Sequence, residues 1–248
     1  MIVSSDNDRL KRVRKLGGRK WRERERAFVT EGEDLLAAGL AAGWEPVDLL
    51  VAADSEIDGT EVEPHLLDAI STLGSGTRVI AVWPIPEGGE GDGPASPTTL
   101  YLHGVSDPGN VGTIVRTAGA LAGATIVLGL GSADAYSPKA VRASMGALFT
   151  VPARRGDLGS TERPRLALVA HGGDPIDDAV RGLGTVMTLC LGSERDGLPA
   201  ELLASCEAAA TIPLHPAAES LNVAAAAAIG LQRICSLGAA PTDPMERG

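Results

Sequence analysis

The sequence predicts an α/β protein, with a C-terminal, mostly parallel sheet covered by helices on both faces and a small N-terminal α/β unit before it. Three observations lead there. Short apolar runs alternate with stretches whose apolar residues recur at helical spacing along nearly the whole chain. One stretch, PIPEGGEGDGPASP at 84–97, is dense in Pro and Gly and has no period, so it reads as a linker. Composition, at 44% hydrophobic and 22% charged over 248 residues, is that of a chain with a real core and excludes a wholly disordered protein. The expected organisation is one unit over residues 1–85, a linker over 86–97 and a second unit over 98–240.

The elements follow in order. Residues 1–28 hold ten Lys/Arg against four acids, a local +6; with the chain at −10, the remainder carries −16. A basic arm on an acidic body fits a locally anionic partner, and a solvated charged helix accounts for it equally well. Phe28-Val-Thr30 has the residue types of a short strand. The stretch Glu31 to Ala42 carries Leu35, Leu36 and Leu40 at helical spacing. Val47–Ala52 reads as a strand, Pro64–Leu73 as a helix with Pro in its first turn, and Arg78–Val82 as a strand. In the second unit, Thr99–Leu102, Thr125–Leu128, Arg165–Val169, Val186–Leu191 and Ala209–Ile212 are apolar strand candidates. Helix candidates are Val111–Ala122, Pro138–Ala147, Pro199–Ser205 and Asn222–Ser236. Near-continuously apolar strands between helices imply a parallel sheet buried on both faces. Its ligand is then expected beyond the C-terminal ends of the strands.

Several functions lose ground on residue types alone. No apolar run reaches the roughly 18 residues of a membrane span, and Met1–Leu10 is too polar for a secretory signal, so a cytoplasmic location is expected. Cys190, Cys206 and Cys235 form no CxxC pair, and His65, His103, His171 and His215 show no metal spacing, so no metal is expected. Gly129-Leu-Gly131 is followed by Ala133 and Asp134, which breaks a dinucleotide fingerprint; no GxxxxGK[ST] occurs; and neither Ser144 nor Ser193 sits in GxSxG.

Three segments that each follow a predicted strand carry the candidate chemistry. The first, DPGNVGTIVRTA at 107–118, is a turn running into a helix. Val111, Ile114, Val115, Ala118 and Ala122 fall on one stripe, with Arg116 opposite among the small residues Gly112, Thr113, Gly119 and Ala120. Arg116 reads either as a functional cation or as a surface residue. The second, LGSERDGL at 191–198, is a glycine-flanked loop able to approach a ligand closely. In the third, IPLHPAAESLNVAAAAAI at 212–229, Ser220 or Asn222 is placed to cap the Ala-rich helix, with or without a further role.

In order, spacing and context these segments resemble the three signature motifs of the SpoU/TrmH family of RNA ribose 2′-O-methyltransferases. YSPKAVRASMGALF at 136–149 is similar to the family's connecting helix. The N-terminal block, with its basic start and FVTEG at 28–32, resembles the family's L30e-like substrate-binding domain.

The resemblance implies a deep trefoil knot, an exception to the rule that chains do not thread, and an obligate homodimer. It implies S-adenosylmethionine as cofactor, held largely by backbone groups at Gly192, Ile212 and Leu221. It assigns the catalytic role to Arg116, with Asn110, Glu194, Ser220 and Asn222 as the other motif residues. RNA is then gripped through phosphates by the basic segment, including Arg12, Arg14, Lys15, Arg19 and Lys20. With aromatics at 3%, no extensive base-stacking platform is expected. Ribosomal RNA is favoured as substrate; transfer RNA, or a non-catalytic RNA-binding dimer, are the alternatives.

Overall fold

A computed structural model describes residues 1–86, 98–151 and 153–238. The expected linker therefore lies, apart from Pro86, outside the described residues. The basic start folds into two helices, α1 (Asp8–Leu16) and α2 (Arg19–Glu25). It is not an extended arm, because Leu10, Val13 and Leu16 recur on one face of α1 and are buried. Strands β1 (Ala27–Glu31), β2 (Asp48–Ala52), β3 (Thr60–Val62) and β4 (Val79–Pro84) form a sheet in the order β1-β4-β2-β3. The β4 strand runs antiparallel to β1 and β2, and β3 lies parallel to β2. Helices α3 (Glu33–Ala41) and α4 (Pro64–Asp68) complete this unit. The α3 helix starts later than expected because Gly32, at φ +102°, ends β1.

The second sheet has seven strands: β5 (Thr98–Leu102), β6 (Thr125–Leu128), β7 (Ala153–Arg155), β8 (Arg165–Leu168), β9 (Asp174–Pro175), β10 (Met187–Leu191) and β11 (Ala208–Thr211). Their order is β7-β6-β5-β10-β8-β11-β9, and every pairing is parallel. In the centre, Leu100 lies between Leu189 and Ile126, all three without solvent exposure. The helices are α5 (Pro108–Leu121), α6 (Pro138–Ser144), α7 (Ile176–Leu183), α8 (Ala200–Leu203) and α9 (Val223–Gly238). The α6 helix is shorter than expected, since Met145 and Gly146 both take left-handed backbone and a 3-10 turn, Ala147–Phe149, follows. The unexpected α7 has a helical stripe, Ile176, Ala179, Val180 and Leu183, hidden in sequence by the glycines on either side of it.

The two sheets share one core. Phe28, Trp44 and Trp83 from the first unit pack on Tyr136 and Phe149 from the second, with ring centroids 4.8–5.9 Å apart. Trp44 Nε1 donates to the Phe149 carbonyl at 2.9 Å. Arg22, only 4% exposed, ion-pairs with Asp134 at 2.8 Å and donates to the Leu16 and Gly17 carbonyls. Five of the seven aromatic residues are thus committed to the junction, a physical reason why few remain for stacking on bases.

Candidate functional site

Parallel strands leave their C-terminal edge open to loops, and three loops meet there. Residues 168–171 after β8, 191–198 after β10 and 212–221 after β11 enclose a cavity of about 530 Å³. Its walls are mainly apolar (Leu168, Leu191, Leu198, Ile212, Leu214 and Val223), and Ser193, Glu194, Arg195 and Ser220 add polar groups. Volume and lining are those of a site for a small, partly apolar ligand.

The loop after β10 owes its shape to Gly192. Ser193 and Gly197 exchange two backbone hydrogen bonds of 3.1 Å, closing a tight turn, and Gly197 takes φ +66°. A Cβ at position 192 would lie 2.0 Å from the Gly197 carbonyl carbon and 2.3 Å from the Leu198 nitrogen. Gly192 thus serves first to let the loop fold back on itself. Residues 219–221 make no hydrogen bond among the described residues, so the backbone groups of Ser220 and Leu221 remain available at the wall they line.

The three motifs converge at the rim of the cavity. Asn110 in the first turn of α5 donates from Nδ2 to Glu194 Oε1. Asn222 donates from its own Nδ2 to Asn110 Oδ1 at 3.2 Å and to Glu194 Oε1 at 3.4 Å. Its Oδ1 meanwhile accepts from the Ala224 nitrogen at 2.9 Å and the Ala225 nitrogen at 3.4 Å, capping α9. Asn222 is therefore both a cap and a member of the cluster. Asp107 caps α5, accepting from the Gly109 nitrogen at 2.6 Å. The Lys139 ammonium, 2.8 Å away, and then that amide hold its carboxyl below the usual range.

Of the expected cofactor positions, Gly192, Ile212 and Leu221 all line the cavity, as do Glu194 and Ser220. Arg116 does not. It is exposed, and among the described residues its side chain makes no hydrogen bond or ion pair. Six residues beyond Asn110, it lies ~9 Å further along α5 and ~120° away around the helix axis. The small residues beside it are partly used within the chain. Gly112 faces α6 so closely that a Cβ would lie 2.3 Å from the Ala140 carbonyl oxygen, and Gly119 abuts Ala147. Thr113 and Ala120 stay exposed with Arg116.

A model of the SpoU rRNA methylase family matches residues 97–232, and one of the MRM3-like substrate-binding domain matches residues 7–82. The chain belongs to the SpoU rRNA methylase family. It is similar to the Bacillus subtilis 23S rRNA (guanosine(2553)-2′-O)-methyltransferase RlmP, at 31% identity over 92% of this chain and 96% of that protein. Its fold is similar to the Streptomyces viridochromogenes SpoU methyltransferase AviRb in complex with AdoMet, with TM-score 0.80 and 25% identity over 93% of this chain and 98% of that one. The AdoMet-bound rRNA methyltransferase from Sinorhizobium meliloti aligns with TM-score 0.79 and 27% identity over 94% and 96% of the two chains.

Within this family frame, the sequence reading passed over two cavity residues. Arg195, inside the second motif, and His171, beyond β8, both line the site. Only the position of His171 after an apolar strand hinted at it. Among the described residues, no group of His, Cys, Asp and Glu is arranged to hold a metal ion. No described helix is long and apolar enough to cross a membrane.

The expected RNA-gripping residues all lie on the helical pair or the turn between its helices, with unequal freedom. Arg12 pairs with Glu25 at 2.8 Å and Arg19 with Glu23 at 2.6 Å. Arg14 donates to the Ser5 carbonyl at 3.0 Å. Lys15 sits 4.8 Å above the Trp21 ring and Lys20 is exposed.

Proposed function

We propose that the protein transfers a methyl group from S-adenosylmethionine to a ribose 2′-hydroxyl of ribosomal RNA. The observation that carries this reading is the convergence of Asn110, Glu194 and Asn222, from three motifs, on one rim of the apolar cavity. The wall fits that cofactor, with aliphatic side chains for an adenine and free backbone groups at 219–221 for its polar edges. When bound, the cofactor supplies an electrophilic methyl on a sulfonium leaving group. The chain's residues then align a sugar hydroxyl and stabilise the charge that grows on its oxygen.

Alignment falls to the Asn110–Glu194–Asn222 cluster, which ties α5, the loop after β10 and the start of α9 together. Ser220, on the wall beside it, is the hydroxyl placed to touch ribose or cofactor. Stabilising the ribose oxygen, as its proton leaves to water and its bond to the methyl carbon forms while the sulfur–methyl bond breaks, falls to Arg116. A guanidinium stays protonated in proteins, so it acts by its charge and not as a base. In one copy Arg116 lies outside the cavity, and this supports a homodimer in which it faces the partner's cavity. A groove of about 930 Å³ between α5, α7 and α9, with Leu121, Ile176, Pro213 and Ile229 in its lining, supplies an apolar surface for that second copy.

We read residues 1–85 as the L30e-like RNA-gripping unit and 98–240 as the transfer unit, working in the cytoplasm where its substrate is made. The deep trefoil knot belongs to the same reading. What supports it is that β10 inserts between β5 and β8, after which residues 212–221 return beside the loop at 191–198.

Mapping ribose methylation on RNA from cells with and without the protein tests the reading. One ribosomal position is expected to lose its methyl group; a loss confined to transfer RNA overturns the substrate assignment. With labelled cofactor, Arg116→Ala is expected to lower turnover at least about 100-fold with unchanged cofactor affinity, and normal turnover refutes the role of Arg116. Mixed dimers of Arg116→Ala and Glu194→Ala subunits regain activity only if the arginine serves the partner's site.

A further inference from the structure

A second crevice, of about 280 Å³, opens where the N-terminal helices meet the edge of the large sheet. Arg22, Glu23 and Arg26 line one side, and Asp134, Arg154 and Arg155 the other, over a floor that includes Leu128 and Tyr136. Four arginines face two acids here, a local excess of two positive charges on a chain that carries −10. Both acids are already engaged, Asp134 by Arg22 at 2.8 Å and Glu23 by Arg19 at 2.6 Å.

The other three guanidinium groups rest on neutral oxygens. Arg155 donates from both terminal nitrogens to the Ser132 carbonyl at 3.3 Å. Arg154 donates to the Ser160 carbonyl at 3.0 Å and its hydroxyl at 3.3 Å. Arg26 donates to the Ile85 and Pro86 carbonyls. Carbonyls fix a guanidinium in place without neutralising its charge. Burial first, and then the charge of Arg19, draw the Arg155 pKa below its ordinary value against the smaller opposing pull of Asp134 and Glu23. Arg26 moreover has φ +50°, a left-handed turn where glycine sits without strain, yet the position carries a long cation.

The crevice lies at the ends of β6 and β7, on the same C-terminal edge of the sheet as the cavity beyond β10 and β8. Only β5 separates β6 from β10, a spacing of ~10 Å between strand ends. A nucleic-acid strand with its ribose at the cavity and running along this edge of the sheet would bring a phosphate a few nucleotides away over this crevice.

We propose that the crevice formed by Arg26, Arg154 and Arg155 binds a backbone phosphate of the RNA strand a few nucleotides along from the ribose that is methylated. The inference rests on the RNA-methyltransferase reading above. It extends the anion-binding surface from α1 and α2 onto the large sheet.

The test uses the full-length protein and its RNA substrate across a salt series. Arg26→Gln and Arg155→Gln are each expected to weaken RNA binding about five- to tenfold and to reduce the slope of log K against log salt by about one. The KM for RNA rises, while kcat and cofactor affinity hold. Arg155→Lys, which keeps the charge and loses the fork on Ser132, is expected to keep the salt slope, which a purely structural arginine would not do. Arg78→Gln, at the opposite end of β4, is the control. Unchanged slopes in both glutamine variants, with wild type methylating RNA normally, overturn the crevice and leave the main reading standing. Wild type that methylates no RNA overturns the main reading itself. If inorganic phosphate raises the melting temperature of wild type but not of Arg155→Gln, and RNA slopes are unchanged, the crevice binds the free ion and the proposal fails.

Discussion

Replacing Gly192 by Ala asks whether the cavity proposed to hold the cofactor depends on the shape of one loop. The added methyl carbon would sit 2.0 Å from the Gly197 carbonyl carbon, 2.3 Å from its oxygen and 2.3 Å from the Leu198 nitrogen. All three are backbone atoms, so no side chain can swing aside. Restoring an ordinary contact of about 3.4 Å requires the turn at 193–197 to move by roughly 1.4 Å, which breaks the paired bonds between Ser193 and Gly197. Overpacking of this kind costs about 1–3 kcal/mol. Most of that energy is expressed locally, because residues 193–197 are cavity wall, and only Leu198 beside them is buried in the core. Taking 1.4 kcal/mol per tenfold, cofactor affinity is expected to fall about 5- to 140-fold. Turnover falls with it, since a displacement of ~1 Å at a site can cost two orders of magnitude. Isothermal calorimetry with S-adenosylmethionine measures the first and methyl transfer at saturating cofactor the second. Binding within twofold of wild type, with a native melting temperature, would show that the cavity does not depend on this loop.

Further outcomes follow from the same geometry. Arg22→Met removes a buried cation from Asp134 and two carbonyls and is expected to destabilise the fold by about 3–5 kcal/mol in urea unfolding; Arg22→Met with Asp134→Leu should recover most of the loss, and a full loss in the double variant contradicts the ion-pair account. Asn222→Ala deletes the cap of α9 and both contacts to the motif cluster, with an expected loss of about 1 kcal/mol in stability and a drop in kcat that exceeds any rise in KM; a change in KM alone would place Asn222 in binding and not in alignment. The Asp107 carboxyl is depressed in the folded state, so its contribution is present at neutral pH and lost as pH falls through the folded value, below 3.8. Asp107→Asn should therefore flatten the acid limb of the stability–pH curve, and an unchanged limb rules that contribution out.

Much of the fold was legible because local pattern and tertiary role agree. The strands of the large sheet are buried on both faces, so they read as unbroken apolar runs such as Thr-Leu-Tyr-Leu at 99–102. The cap residues Asp107 and Asn222 sit where helix-start chemistry puts them. Elements missed were short or masked. The β3, β7 and β9 strands have two or three residues each, too few for a period to emerge. The N-terminal charges concealed two packed helices, since the three buried apolar residues of α1 are outnumbered by charged ones.

Residue order by itself determined which chemistry was available. Motifs at 107–118, 191–198 and 212–229, each after an apolar strand, had to emerge at one edge of a parallel sheet, because every such strand points its C-terminus the same way. Only the folded chain decided which of those groups meet. Asn110, Glu194 and Asn222 touch because β10 inserts next to β5, and hydrogen bonds are made at about 3 Å, a precision that sequence spacing does not carry. The same packing turned Arg22 from one of ten basic residues into the pin between two units, and left Arg116 facing outward. A side chain's burial and partners are properties of its surroundings in space, and those surroundings come from segments more than a hundred residues away.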